Sequence, residues 1–216
     1  MTALDPETGE LVGPASAVQA LLDGDALADE PALDAALEAA RDPAVRISTI
    51  GLTPGATVLG DASACVLVTE RPGDRHALLA IAPEQVPVAL AVWLGLEPRP
   101  VPAEPAVRLD PGAMSLLIGR GEAHGHGLEP EVATALQRWL DAGIRHWTVR
   151  VECDAFRRNL EVVDGEAGIW RVRPADGLVE LAPTSTTEVV RALIALVGAA
   201  LASDADGRRG DRPAAP

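Results

Sequence analysis

The sequence has no lysine, no tyrosine and a single phenylalanine, Phe156. Each of these gaps excludes something. Without lysine there is no Gly-Lys-Ser/Thr phosphate loop, and the glycines at 119, 121, 125 and 127 lack the fixed spacing of a dinucleotide fingerprint. With so few aromatic rings, a stacking platform for single-stranded nucleic acid is hard to build. Positive charge is scarce: 18 arginines face 32 carboxylates, for a net charge of −14. A nucleic-acid binder must neutralise phosphates, and an anionic membrane surface attracts basic segments, so neither is an expected partner. No window approaches the ~20 apolar residues of a membrane helix. The opening MTALDPETGELVG has no basic region followed by an apolar core, which predicts no signal peptide and a cytoplasmic protein. Only two cysteines occur, Cys65 and Cys153, both in strand-like sequence, and they are expected as buried reduced thiols.

What the chain does contain, it says twice. ALLAIAPEQVPVALAVWLGL, from Ala77, and GLVELAPTSTTEVVRALIAL, from Gly177, share one grammar: apolar run, Ala-Pro, then helix. The echo extends upstream. EPALDAALEAARDPAVR, from Glu30, matches EPEVATALQRWLDAGIR, from Glu129, with proline at the first helical position of each. Leu33 and Leu37 in one segment, and Val132, Leu136 and Leu140 in the other, have helical spacing. Between these blocks, VLGDASACVLVTERPG and VVDGEAGIWRVRPADG read as short strands joined by turns, a meander of hairpins. Ser185 and Glu188 have the spacing of a capping box at the start of the last helix.

These patterns predict an α+β fold: two quasi-repeated helix–strands–helix halves about a pseudo-twofold axis, with a mainly antiparallel sheet flanked by helices. The expected organisation is an N-terminal half over 1–96, beginning with an acidic helical segment, a Pro-rich connection over 97–108, a C-terminal half over 109–202 and a disordered tail over 203–216. The first helix of each half is amphipathic, and so is the helix after Pro83 on this reading.

No catalytic constellation assembles from the residues. His124 and His126 could both reach a cation, but a zinc site needs three or four protein ligands, and no third is in motif spacing. No metal and no cofactor is expected. No Gly-x-Ser-x-Gly occurs, so a serine hydrolase is not indicated. Asp61 and Asp164 recur at what read as equivalent turn positions, which argues for turn-making rather than catalysis. The string Arg209-Gly210-Asp211 reads as chance. Two features stand out as contact surfaces. AFRRNLE places Phe156 beside Arg157 and Arg158 at a hairpin turn, and aromatic and arginine side chains anchor interfaces. Trp170 lies where the first copy has Leu67 nearby, while Trp93, Trp139 and Trp147 are expected in the core.

The block VVDGEAGIWRVRPADGLVELAPTSTTEVVRALIAL and the block ALDAALEAARDPAVRI carry a resemblance that extends from Pro31 to Leu201. The chain resembles the EspG-type chaperones of actinobacterial type VII (ESX) secretion systems. The resemblance implies a cytosolic chaperone that binds helical PE–PPE substrates and keeps them soluble for export. It agrees with a chain that has no assembled active site and an acidic, soluble body. The expected function is therefore a non-enzymatic binding protein with a protein partner. Two alternatives stay open: a self-associating scaffold, as a homodimer through the helix TTEVVRALIALVGAAL, or an enzyme with a site between the halves built from His124, His126, Asp61 and Asp164.

Overall fold

A computed structural model describes residues 2–5, 7–25, 31–123 and 128–210. It shows mixed helix and strand, with antiparallel sheet flanked by helices. The chain forms two compact units.

The first unit comprises the chain up to Gly95, the segment Val149–Asn159, and the residues from Leu193 onward. It opens with two short strands, β1 (Ala3–Leu4) and β2 (Leu11–Pro14), then helices α1 (Ala15–Asp23) and α2 (Pro31–Arg41). Strands β3 (Val45–Ile50), β4 (Ala56–Gly60), β5 (Cys65–Arg71) and β6 (Arg75–Ile81) follow. A single 3-10 turn at Pro83–Gln85 leads into helix α3 (Val86–Trp93). The strands lie in the order β1-β2-β6-β5-β4-β3. The helical spacing of Leu33 and Leu37 does what it predicts: with Val18, Leu21, Ala36 and Ala40 they cover Leu59, Val66 and Leu78 on one sheet face. The β5–β6 hairpin turns through a three-residue loop, Pro72 to Asp74, with Arg71 opposite Arg75; its last two residues, Gly73 (φ +76°) and Asp74 (φ +53°), both have positive φ.

The second unit holds Leu96–Thr148 and Leu160–Ala192. Its elements are β7 (Val107–Leu109), α4 (Pro111–Arg120), α5 (Pro130–Asp141), β10 (Gly168–Ala175) and β11 (Leu178–Thr184). The first half of β8 (Ile144–Cys153), most of β9 (Phe156–Gly165) and the start of α6 (Thr186–Gly210) belong with them. The strand order is β8-β9-β10-β11-β7. Helices α4 and α5 bring Met114, Leu117, Leu136, Trp139 and Leu140 onto Val163, Trp170 and Leu181. Asp110 caps α4, its Oδ1 accepting from the N–H of Ala113 at 2.9 Å.

The order helix, four strands, helix occurs in both units, over α2 to α3 and over α5 to α6. The Pro-rich stretch is more than a connection: a Cβ on Gly168 would lie 2.6 Å from Pro102 Cγ and 2.9 Å from Pro100 O. That stretch therefore packs directly on the start of β10. The tail expected to be disordered from Ser203 is helical as far as Gly210, and Asp204 Oδ2 accepts from the N–H of Ala62 at 2.9 Å. Residues 211–216 lie outside the described residues, and so do His124 and His126.

Helix α6 corrects a second expectation. By length and composition, Thr186–Ala205 is long and apolar enough to cross a membrane, with a mean hydropathy of 1.5. Within it Val189, Leu193, Val197 and Ala200 form a buried stripe. Its capping box forms as predicted. Glu188 Oε2 accepts from Thr184 Oγ1 at 2.9 Å and from the N–H of Ser185 at 3.2 Å, and Ser185 Oγ accepts from the N–H of Glu188. The Thr184 hydroxyl first, and then the Ser185 N–H, hold the Glu188 carboxyl below its ordinary value of 4.5. A lowered carboxyl contributes stability above the unfolded value and loses it as pH falls through the folded one. Glu188→Gln is therefore expected to lower the melting temperature at pH 7. The gap to the parent should close in melts at pH 3, and a gap that ignores pH would refute the assignment.

Candidate protein-binding surface

The hairpin between β8 and β9 turns at Asp154-Ala155 and presents the expected trio. Phe156 is half-buried, while Arg157 and Arg158 are exposed. The Arg158 guanidinium sits 4.9 Å over the Phe156 ring, and Arg157 pairs with Glu152. At an exposed site such a cation–π contact is worth about 0.5–1 kcal/mol, enough to hold the ring and the guanidinium together as one presented patch. Trp170 does not join this surface. It is 1% exposed, in the helix-covered core of the second unit.

The same unit that carries the hairpin tip exposes apolar residues that sequence reasoning missed. Val88 and Val92, one turn apart on α3, are 62% and 76% exposed. Val86, Leu90 and Leu94 on the opposite side are fully buried. The helix read as amphipathic is thus apolar on both faces, and the run VPVALAVW was the available signal. At its end Trp93 lies 5.9 Å beneath the Arg71 guanidinium, itself paired with Glu10. On α6, Ile194 is 50% exposed. Exposed apolar residues scattered singly need no explanation, but a helix that exposes two valines over a turn offers area to a partner.

The carboxylates considered for catalysis are consumed structurally. Asp61 lies in the β4–β5 turn, where its Oδ1 accepts from the N–H groups of Ser63 and Ala64 at 2.6 and 3.1 Å and from Ser63 Oγ at 2.5 Å. Asp164 is not in a turn; it lies within β9, opposite Ile169 of β10. The two aspartates therefore do not occupy equivalent turn positions. Asp164 accepts from Arg145 Nε and Nη2, each at 3.0 Å, and from Trp147 Nε1 at 2.9 Å. Cys65 is buried and Cys153 half-buried, both free. Burial, and then the nearby Asp61 charge, push the Cys65 thiol up to about 11, which leaves it protonated and unreactive at neutral pH.

The second unit also contains a cavity of about 200 Å³ between the Pro-rich stretch and α5. Trp139 and Trp170 line it, with ring centroids 5.8 Å apart and planes tilted by 56°. Both indole N–H groups are closed off from solvent and meet no acceptor. Each such orphan costs about 1–3 kcal/mol.

No family model matches the sequence, and no curated protein matches it. The fold, by contrast, is shared with a type VII secretion system chaperone among solved structures. That protein is EspG5 of Mycobacterium tuberculosis, solved in complex with a PE25–PPE41 dimer. The TM-score is 0.58 and the identity 12%, over 87% of this chain and 95% of that one. At that identity the likeness is one of fold.

Proposed function

We propose that this protein is a non-enzymatic, cytoplasmic chaperone that binds helical PE–PPE-like substrates of a type VII secretion system and keeps them soluble for export. The observation that carries the reading is the fold likeness, which spans nearly the whole of both chains. The net charge of −14 supports it, because an acidic body keeps a complex with a sticky partner in solution. We assign the contact to the first unit, with Phe156, Arg157 and Arg158 as anchors and Val88 and Val92 as apolar area. The recurring order of elements we attribute to a duplication, with the halves over 1–96 and 109–202 related by a pseudo-twofold axis.

Co-expression tests the proposal. A PE–PPE pair from the same genome that is insoluble alone should become soluble with this chain and co-elute with it at equal stoichiometry. Phe156→Ala combined with Arg157→Glu and Arg158→Glu should weaken capture by about tenfold or more. A pair that stays insoluble, beside a chain that sediments as a dimer, would replace the proposal with self-association through α6, where Ile194 is exposed.

A further inference from the structure

We propose that the sheet face of the second unit that carries Arg108, Arg171 and Arg173 docks an acidic helix of a partner polypeptide, with two carboxylates one turn apart meeting Arg171 and Arg173. The inference goes beyond the contact assigned to the first unit and does not depend on the chaperone reading. The strand register places the residues. Arg173 of β10 lies opposite Glu180 of β11, and Glu180 lies opposite Arg108 of β7, so the three form one row across the strands. Arg171, two residues before Arg173, shares its face. The alternate residues Trp170, Val172 and Leu181 belong to the opposite face, in the core with α4 and α5. On the arginine face Arg173 is exposed, the Arg108 side chain is 58% exposed and Leu178 is 39% exposed. The neighbouring carboxylates are engaged: Glu180 Oε2 accepts from Arg108 Nε at 3.3 Å, and Glu188 accepts from Thr184 and Ser185. Asp176 lies in the turn of the β10–β11 hairpin. Arg171 and Arg173 form no ion pair among the described residues. Arg171 is half-buried, and burial, then the charge of Arg173, hold its pKa below the ordinary arginine value, with Glu188 opposing them. Two adjacent guanidiniums, one of them half-buried and neither paired, are a cost that a carboxylate ligand would relieve.

The surroundings select the ligand. Both β10 and β11 have a hydrogen-bonded strand on each side, so this face offers side chains and no free backbone edge. A docking segment must therefore satisfy its own backbone, which a helix does and an added strand cannot. Spacing agrees: residues two apart on a strand are about 6.6 Å apart along it, and residues four apart on a helix rise by about 6 Å. The guanidinium fork matches a carboxylate, and Leu178 offers an apolar contact a turn away. A phosphate also suits the fork, but an extended polyanion would meet the field of a chain with a net charge of −14. A short acidic helix covers this face alone, within the ~8 Å over which charge is felt at physiological salt.

The test uses the full chain and a fluorescein-labelled, alanine-based helical peptide with two glutamates one turn apart and a leucine one turn further on. Fluorescence anisotropy should give a dissociation constant on the order of 100 μM at low salt, weaker by about fivefold or more at 0.5 M salt. The same peptide with glutamine for glutamate should not bind, and an isomer with its glutamates on opposite helix faces should bind about fivefold more weakly or worse. Arg173→Gln should weaken binding by about tenfold, and Arg173→Lys, which keeps the charge but loses the fork, by about threefold. Arg120→Gln, on α4 at the other face, should leave binding unchanged. Because Arg173→Gln removes a like charge beside Arg171, its melting temperature should equal or exceed that of the parent, which a structural role for Arg173 would not allow. Equal binding of both glutamate isomers, full binding by Arg173→Gln, or no saturable binding would each overturn the proposal. So would a short oligothymidylate or anionic vesicles binding more tightly than the peptide. The peptide result leaves the chaperone reading untouched, since solubilisation of a PE–PPE pair is measured separately.

Discussion

Asp164→Ala should destabilise the protein by about 3 kcal/mol, read as a lower urea midpoint at unchanged slope. The Asp164 side chain is only 3% exposed and serves two donors of different kinds. Arg145 approaches it through two nitrogens, but its own side chain is 45% exposed and can turn to water once the carboxylate is gone. Trp147 has no such escape: it is completely buried, and among the described residues its Nε1–H has no acceptor other than Asp164. Most of the loss therefore comes from an orphaned indole donor rather than from the ion pair, whose exposed partner discounts its worth. Two further variants separate the parts. Asp164→Asn keeps an acceptor for Trp147 and should cost about 1 kcal/mol, in the range of one ordinary hydrogen bond. In a Trp147→Phe background, Asp164→Ala should cost at least 1 kcal/mol less than in the parent, because the donor is already absent. An Asp164→Ala protein within 0.5 kcal/mol of the parent would show that the network contributes nothing.

That network also marks the limit of what the sequence revealed. The succession of helix, strands and helix was legible because its signals are local. Proline at the first helical position, a Gly-Asp or Asp-Gly turn and a Ser-x-x-Glu cap each act within four residues. Asp164 read as a turn residue because Asp-Gly usually is one, yet β9 runs through it to Gly165 and the hairpin turns at Glu166-Ala167. Which reading holds depends on Arg145 and Trp147, nearly twenty residues away, and no local rule reaches them. Trp170 failed for the same reason. Compared with Leu67 it read as an added contact residue, but on the helix-covered face its counterparts are Val163 and Leu181 of its own unit and Trp139 of α5. In the first unit the helix-covered face is filled by smaller side chains such as Val66 and Ala40. The two indoles pack together between helix and sheet in the second unit, and that pairing is a tertiary property. The exposed valines of α3 were missed because an apolar run does not say which of its residues stay uncovered.

Gly60→Ala should be about as costly, near 3–5 kcal/mol, with a melting temperature lower by about 6–20 °C for a chain of this size. Gly60 ends β4 opposite Cys65 and begins the tight turn that Asp61 organises. A Cβ there would lie 2.3 Å from Ala64 O and 2.7 Å from Cys65 Cα. Both are backbone atoms, one at the end of the turn and one at the start of the facing strand, so no side chain can swing aside to make room. To relieve the contact Ala64 O must move, and that oxygen accepts from the N–H of Asp61 at 3.0 Å. Displacing it loosens the hydrogen bonds from Ser63 and Ala64 to the Asp61 carboxylate and the clip from Ala62 to Asp204 on α6. Gly73→Ala is the matched control. Gly73 also has a positive φ, +76°, but nothing lies within 4 Å of its added Cβ. It should cost about 1 kcal/mol, the strain of the backbone conformation alone. The difference between the two variants isolates the close approach of the strands from the conformational freedom of glycine. Equal losses would mean that the turn at Asp61 has room to relax, and that the end of α6 is not held by it.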